Sequence, residues 1–139
     1  MATRAEELLV RRFYAEAWNG WDDGAADELL ADDFRFRGSL GSELEGRDAW
    51  RGYRDRIRQA VPDFHNEVVD LVTAPGRASA RLRYTGHVRG ALLGRLGYGR
   101  AIEYDGAAFF DCSEGRLASA WVLGDLDRLH RQLDREPLP

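Results

Sequence analysis

Four strand-like segments fill most of the second half of the chain, and they constrain the fold more than any other feature. They span residues 64–73, 77–89, 100–112 and 116–123. The turn sequences Ala74-Pro75-Gly76 and Ser113-Glu114-Gly115 join them in pairs as hairpins. Because hairpin-linked strands run antiparallel, the sequence predicts a mostly antiparallel sheet.

Helical patterns dominate the first half. Apolar residues recur with helical spacing from Leu9 onward, which predicts a first helix from about residue 4 to 18. Asp22 or Asp23 is placed to cap a short second helix. The remaining predicted elements are this second helix, a strand, a third helix and a closing helix, over residues 25–30, 33–37, 47–60 and 126–133. Helices followed by antiparallel strands are typical of an α+β fold.

Composition narrows the function classes. The 139 residues predict one domain over 1–139, with a tail from about residue 134. Because the sequence has no long apolar run and no hydrophobic signal core, we expect a cytoplasmic protein without a membrane partner. A net charge of −4 with interspersed signs argues against nucleic-acid binding. One cysteine and three scattered histidines give no metal-ligand spacing, so we expect no metal and no other cofactor.

A series of short motifs along nearly the whole chain carries a family resemblance. The motifs are Tyr14-x-x-x-x-Asn19, Leu29-Leu30-Ala31-Asp32-Asp33-Phe34, Gly46-Arg47, Pro62-Asp63-Phe64, Tyr84-x-x-His87-Val88, Glu114-Gly115-Arg116-Leu117 and Leu129-x-x-Gln132-Leu133. In these the chain resembles the SnoaL-like polyketide cyclases of the nuclear-transport-factor-2-like superfamily. The resemblance implies a cone-shaped α+β barrel, in which three helices pack on a curved sheet and enclose an apolar cavity. It specifies the reaction poorly, because this scaffold carries many unrelated chemistries.

The resemblance also implies which strand residues point into the cavity. On the last two strands they are Tyr104, Gly106, Ala108, Phe110, Ala118, Ala120 and Val122. The alternation of side chains along a strand agrees, because it places Glu103 and Asp105 on the opposite face. The same alternation directs further residues inward on two other strands, namely Phe34, Phe36, Gly38, Ala80, Leu82 and Tyr84.

The acid–base residues of the resembled enzymes are largely missing. Aldol-type cyclases carry a His and an Asp where this chain has Ala108 and Val122, and limonene epoxide hydrolase has a carboxylate at the Val122 position. Ketosteroid isomerase places its proton-shuttling Asp at Gly38, and only its tyrosine is matched, by Tyr14. Proton transfer needs a titratable group within hydrogen-bond reach of the moving proton. The resemblance therefore implies a cavity without the usual catalytic pair.

Four polar residues remain as catalytic candidates: Tyr14, Tyr53, Asp125 and His87. Asp125 directly precedes the closing helix, so a helix N-cap is the more expected role. His87 lies at a strand end with outward parity, and only a bulge near Gly86 would turn it inward. Tyrosine hydroxyls can supply the few directed hydrogen bonds that an apolar pocket needs.

The predicted substrate-binding residues are mostly aromatic. They are Trp18, Phe34, Phe36, Trp50, Tyr84, Tyr104, Ala108, Phe110 and Val122. Aromatic residues at helical spacing are more often core than ligand site. Here they face small residues such as Gly38 and Gly106, which favours a void for a flat or curved apolar ligand. The glycine-rich segment 89–99 is interpreted as a mobile lid over that void.

The resulting hypothesis is an enzyme of secondary metabolism, a natural-product cyclase for a small apolar polyketide-type substrate. A pericyclic ring closure fits best, since it needs little proton transfer. Two alternatives stay open: a proton-transfer isomerase, dehydratase or epoxide hydrolase, and a non-catalytic carrier of hydrophobic ligands. An apolar strip of Trp121, Leu117 and Leu123 on the outer sheet face predicts a homodimer.

Overall fold

The computed structural model describes residues 2–135, with side chains from residue 4 onward. Its helices are α1 (Ala2–Arg12), α2 (Asp23–Leu29), α3 (Arg47–Ala60) and α4 (Leu126–Asp134). Its strands are β1 (Leu30–Arg37), β2 (Glu43–Glu45), β3 (His65–Ala74), β4 (Arg77–Val88), β5 (Ala91–Leu92), β6 (Arg95–Leu96), β7 (Arg100–Ser113) and β8 (Arg116–Gly124). The predicted α+β fold is confirmed. The predicted C-terminal tail falls mostly on residues 136–139, outside the described residues.

The sheet is open and has six strands in the order β2-β1-β8-β7-β4-β3. Every neighbouring pair is antiparallel except β1 and β8, which run parallel. The segment between β1 and α3 contains the short edge strand β2. Within the glycine-rich segment, β5 and β6 form a separate two-stranded hairpin. None of the described helices is long and apolar enough to cross a bilayer.

Local signals in the sequence explain where the helices begin and end. Asp22 caps α2, its side chain accepting the Ala25 backbone N–H at 3.1 Å. Asp125 caps α4 in the same way, accepting the Arg128 N–H at 3.1 Å, which confirms its expected N-cap role. Helix α3 ends at Ala60, two residues before Pro62, because proline cannot continue a helix.

A π-helical turn over Phe13–Trp18 continues α1, where the sequence predicts one uninterrupted helix. The backbone N–H of Asn19 donates to the carbonyl of Tyr14 at 2.8 Å, a spacing of five residues. Tyr14 and Trp18 are both buried in this wider turn. Phe13 is buried as well, so the π-helix, defined here as Phe13–Trp18, carries three aromatic side chains into the interior.

The inner face of the sheet follows the predicted alternation except at one position in β8. Leu117 is fully buried, whereas Ala118 is partly exposed. Asp111 pairs with Ser119 but Cys112 pairs with Leu117, so Ala118 is an extra residue in a β-bulge. The assignment of Leu117 to the outer face and of Ala118 to the cavity is therefore wrong, because the bulge shifts the alternation by one residue.

Arg54 is a buried cation that connects three helical elements. It is 3% exposed, although it lies on the polar helix α3. Its guanidinium donates to the Ala17 carbonyl at 3.2 Å and to Asp55 at 3.1 Å, and it also pairs with Asp23 at the start of α2. The ring of Trp50 lies 5.4 Å from its Cζ atom. Arg54 thus fixes α3 against the π-helix and α2.

We expect Arg54→Ala to lower the free energy of unfolding by about 2 to 3 kcal/mol, because it removes buried packing and leaves the Ala17 carbonyl without its donor. Arg51→Ala is the matched control on the same helix. Arg51 pairs with the exposed Asp27 and Asp48, so its loss costs under about 1 kcal/mol. Urea unfolding of both variants measures the difference, and equal losses would contradict the special position of Arg54.

Candidate active site

A small cavity lies between the π-helix, α3 and the inner face of the sheet. It is lined by Tyr14, Trp18, Phe36, Ser39, Tyr53, Ile57, Phe64, Asn66, Tyr84, Tyr104 and Val122. None of these described lining residues carries a charge. Their polar groups are phenol hydroxyls, the indole N–H of Trp18, one serine hydroxyl and one side-chain amide, so the cavity offers neutral hydrogen bonds inside an apolar wall.

The cavity is small, with a volume of about 20 Å³. That space suffices for about one water molecule. Pockets that hold drug-sized ligands have volumes of roughly 300 to 1,000 Å³. The predicted void for a flat or curved ligand is therefore occupied by the protein's own side chains in this conformation.

Two glycines, one directly after β1 and one in β7, provide the space for two of the tyrosine rings. A Cβ atom at Gly38 would lie 2.6 Å from the Tyr53 hydroxyl oxygen, and one at Gly106 would lie 2.6 Å from the Tyr84 ring. A Cβ atom does not come this close to a non-bonded neighbour, so any side chain at either position would displace the ring. The sequence suggests that these small residues border a void, but in the structure they make room for tyrosine rings.

The tyrosine rings contact one another and their neighbours around the cavity. The rings of Tyr84 and Tyr104 have centroids 4.7 Å apart, and Phe64 stacks on Tyr84 at 5.7 Å. The Tyr104 hydroxyl lies 3.0 Å from the Ser39 hydroxyl. The backbone N–H of Leu40 donates to the hydroxyl of Tyr53. Aromatic packing and a few hydrogen bonds therefore fix the positions of the phenols.

Burial keeps the phenols of this cluster protonated. Desolvation raises the pKa of Tyr14, Tyr84 and Tyr104 well above the usual range, and raises that of Tyr53 to about 12. A phenol with such a pKa does not act as a base at neutral pH. The four hydroxyls can still donate and accept hydrogen bonds.

The structure brings together seven of the residues predicted for the site. Tyr14, Trp18, Phe36, Tyr53, Tyr84, Tyr104 and Val122 all line the cavity. Four others are buried but stand behind the lining, namely Phe34, Trp50, Ala108 and Phe110. Ala108 is directly opposite Val122 in the β7–β8 pairing. Two apolar side chains thus stand side by side where the resembled aldol cyclases carry an acid–base pair.

Asp125 and His87 lie outside the cavity. Asp125 is exposed and engaged as the N-cap of α4. The β4–β7 register runs unbroken through Gly86, so His87 keeps its outward direction. Its Nδ1 atom lies 2.6 Å from an oxygen of Asp63. Although burial opposes it, hydrogen bonds from the His87 ring and backbone lower the pKa of the Asp63 carboxyl.

Four lining residues are absent from the sequence-based set: Ser39, Ile57, Phe64 and Asn66. For two of them, the alternation of side-chain direction along β3 indicates that they face inward. His65 and Glu67 are exposed, so Phe64 and Asn66 must point the other way. Ser39 follows the end of β1, where no pattern predicts its direction.

Two further sequence features do not contribute to the cavity. No residue of the glycine-rich segment 89–99 lines it, and the backbone N–H groups of Arg89 and Gly90 donate to the Ala60 carbonyl. The lid interpretation therefore has no support from the cavity lining. Burial raises the pKa of the Cys112 thiol to about 11, which keeps it protonated.

A family profile described as SnoaL-like polyketide cyclase matches residues 8–133. The chain belongs to the SnoaL-like polyketide cyclase family. No curated protein sequence matches it. The family assignment agrees with the motifs found in the sequence, and it leaves the individual reaction open.

Solved structures share the fold of this SnoaL-like chain over almost its full length. TsrD from Streptomyces laurentii is 28% identical, with a TM-score of 0.83 and coverage of 94% of this chain and 96% of TsrD. A SnoaL-like protein of Jannaschia sp. CCS1, proposed to be a polyketide cyclase, is 19% identical with a TM-score of 0.86, covering 98% and 96%. IdmH from Streptomyces antibioticus, another proposed polyketide cyclase, is 22% identical with a TM-score of 0.80, covering 93% and 98%.

Alkaline pH is expected to unfold this SnoaL-like protein in the same step that ionises its four buried tyrosines. Unfolded phenols ionise near pH 10, at about their reference pKa, whereas burial raises the folded values. The stability that the protonated phenols contribute is therefore present below about pH 10 and is lost as the pH rises above it. Tyrosinate absorbance and circular dichroism, recorded in one titration, measure both events.

The matched control is Tyr98→Phe, because the Tyr98 side chain is 71% exposed. This variant should unfold at the same alkaline pH as the native protein. Ionisation of the four cluster tyrosines while the dichroism is still that of the folded chain would contradict the prediction.

Proposed function

We propose that the protein closes a ring in a neutral, apolar polyketide-type substrate without using an acid–base pair. One observation carries this proposal: the cavity is walled by aromatic residues and protonated phenols and has no charged lining residue. Family membership supports polyketide cyclisation as the general class of chemistry. The cavity residues support the mechanism within that class.

A pericyclic ring closure suits such a cavity. When a diene and an alkene in one molecule undergo cycloaddition, two carbon–carbon σ bonds form as two π bonds are consumed and a third shifts. No proton, electron or leaving group is transferred, so the apolar pair Ala108 and Val122 does not prevent the reaction. Holding the two reacting parts together removes much of the entropic barrier.

Tyr14 is proposed to assist by donating a hydrogen bond to a carbonyl conjugated with the alkene. Burial is the cause of the raised pKa of Tyr14, so this phenol keeps its proton for donation. Negative charge develops on such a carbonyl during ring closure, and a pre-positioned donor in an apolar site stabilises it. Tyr14 also lies on the π-helix, whose position is fixed through Arg54.

A substrate needs more room than the closed cavity provides, so we propose that it enters by displacing Tyr53. Tyr53 and Ile57 on α3 are 5% and 7% exposed, whereas Tyr14, Tyr84 and Tyr104 are 3% exposed or less. The hydroxyl of Tyr53 is held by the backbone of Leu40, next to the turn formed by Gly38 and Gly41. Movement of this loop would release the ring and open the cavity from the α3 side.

The test uses a neutral linear trienone, in which a conjugated diene is tethered to an enone. We expect the protein to accelerate its ring closure with a rate that is constant between about pH 5 and 9, because no lining residue titrates there. Tyr14→Phe should slow the reaction by up to about tenfold, the value of one hydrogen bond. Val122→Trp should abolish it by filling the cavity.

The matched control is Leu123→Trp, the neighbouring residue, whose side chain lies on the outer face and is 52% exposed. It should leave the rate unchanged. A rate that falls steeply through one pKa would overturn the pericyclic mechanism in favour of proton transfer. Binding of the trienone with no acceleration under any condition would favour a carrier.

We also propose that the outer sheet face pairs with a second copy of the chain. Trp121 of β8, Phe109 of β7 and Val72 of β3 are exposed and lie in one row across the sheet, with Ser79 of β4 between Phe109 and Val72. Positively and negatively charged side chains flank this row, among them the ion pair of Arg77 with Asp111 at 2.9 Å. An apolar row with a mixed-sign border complements itself when a second copy is rotated by a two-fold axis.

Trp121→Asp is expected to convert the dimer to a monomer, because it removes the largest apolar side chain of the row and puts a charge in its place. The control is Leu8→Asp, which changes an apolar residue on α1 that is 60% exposed and remote from the row. Sedimentation velocity of both variants measures the mass. A native protein that sediments as a monomer at high concentration, or a Trp121→Asp dimer, would contradict this interface.

A further inference from the structure

Asn66 contributes the one side-chain amide among the described residues that line the cavity. It is 3% exposed and lies on β3, between the outward-facing His65 and Glu67. Burying an amide is unfavourable unless its hydrogen-bonding groups find partners. Its presence in an otherwise aromatic wall therefore calls for a physical reason.

The side chain of Asn19 binds the backbone of Asn66 as a neighbouring strand would. The Oδ1 atom of Asn19 accepts the Asn66 backbone N–H at 2.8 Å, and its Nδ2 donates to the Asn66 carbonyl at 2.8 Å. An amide rotated by half a turn would place oxygen against oxygen and N–H against N–H. The two contacts therefore define the orientation of Asn19.

The orientation of Asn19 in turn defines that of the Asn66 side chain. Nδ2 of Asn66 lies 3.2 Å from Oδ1 of Asn19 and donates to it. The opposite orientation would bring two amide oxygens together, which is repulsive. One amide proton of Asn66 is used in this way, and the second proton and the lone pairs of its Oδ1 are left for other partners.

We propose that Asn66 is a specificity-determining residue of the cavity, which binds a neutral carbonyl group of the ligand together with an adjacent hydroxyl or N–H. The amide proton donates to the carbonyl oxygen, and Oδ1 accepts from the adjacent donor. Because Asn19 fixes the amide from behind, it is pre-oriented and loses little freedom on binding. This inference rests on the proposed function, since it requires that ligands enter the cavity.

A neutral amide in an aromatic wall selects against anionic ligands. It offers no compensating charge to a carboxylate, and the electron-rich aromatic faces offer none either. An uncharged ligand with one carbonyl–hydroxyl or carbonyl–amide unit satisfies both the wall and Asn66. The chemical class is therefore an apolar molecule with a single neutral two-point polar unit.

The experiment compares three naphthalene probes that differ in one substituent: 2-naphthamide, 2-acetylnaphthalene and 2-ethylnaphthalene. They offer a carbonyl with an N–H, a carbonyl alone and neither group. Asn66→Leu keeps the volume similar but removes the amide. We expect this variant to bind 2-acetylnaphthalene roughly three- to tenfold more weakly, since it loses one neutral hydrogen bond. The affinity for 2-naphthamide should fall the most, and that for 2-ethylnaphthalene by less than about twofold.

Glu67→Leu is the matched control, because it makes the same replacement one residue along β3 on the exposed face. It should change the binding of no probe. Unchanged binding of 2-ethylnaphthalene also demonstrates that Asn66→Leu is folded. Asn66→Ser, which retains a small polar group, should recover part of the affinity for 2-acetylnaphthalene.

Equal weakening of all three probes by Asn66→Leu would overturn this inference alone, because Asn66 would then only shape the wall. Unchanged affinities would overturn it too. Failure of every probe to bind the native protein, or binding that survives Val122→Trp, would instead overturn the ligand cavity of the proposed function. The two failures are thus distinguishable.

Discussion

The close approach of tyrosine rings to glycine backbone on the inner sheet face determines the character of this protein's interior. Gly38 and Gly106 carry no side chain, and the rings of Tyr53 and Tyr84 occupy the space that is left. This arrangement lets large aromatic groups fill the space between helices and sheet. Filling that space excludes water, and the exclusion of water keeps the phenols protonated. The aromatic packing, the small cavity volume and the raised pKa values of the phenols therefore have one common cause.

Two side-chain amides explain why the family motifs identify the fold more clearly than the reaction. Asn19 binds the backbone of Asn66 in β3, and Gln132 binds the backbone of Glu103 in β7 through contacts of 2.8 and 2.7 Å. Each amide imitates a strand and attaches a helical element to the sheet. Both belong to motifs that carry the resemblance, yet neither motif needs a substrate to be useful. Their role is to hold the architecture, which many chemistries share.

The order of elements and most of the inner face follow from the sequence, because side-chain periodicity and helix caps are local properties. The cap at Asp125 and the alternation from Tyr104 to Phe110 are examples. The bulge at Ala118 is not local, since it depends on how β8 pairs with β7. The cavity volume depends on which rotamers fill the space above Gly38 and Gly106, and a residue pattern does not contain that information. Alternation along β3 indicates the direction of Asn66, but its contact with Asn19 is not predictable from a local pattern, because the two residues are distant in sequence.

The parallel pairing of β1 with β8 has a consequence for the newly made chain. Phe36 of β1 is paired with Ala120 of β8, so β1 leaves the ribosome well before the strand that it pairs with. Until β8 follows, the apolar face of β1 and the helices beside it lack a surface to cover them. Pairings between such distant segments close late, because the intervening loop must lose its entropy first. Translation speed over the final strand and the supply of chaperones thus become determinants of yield for this fold.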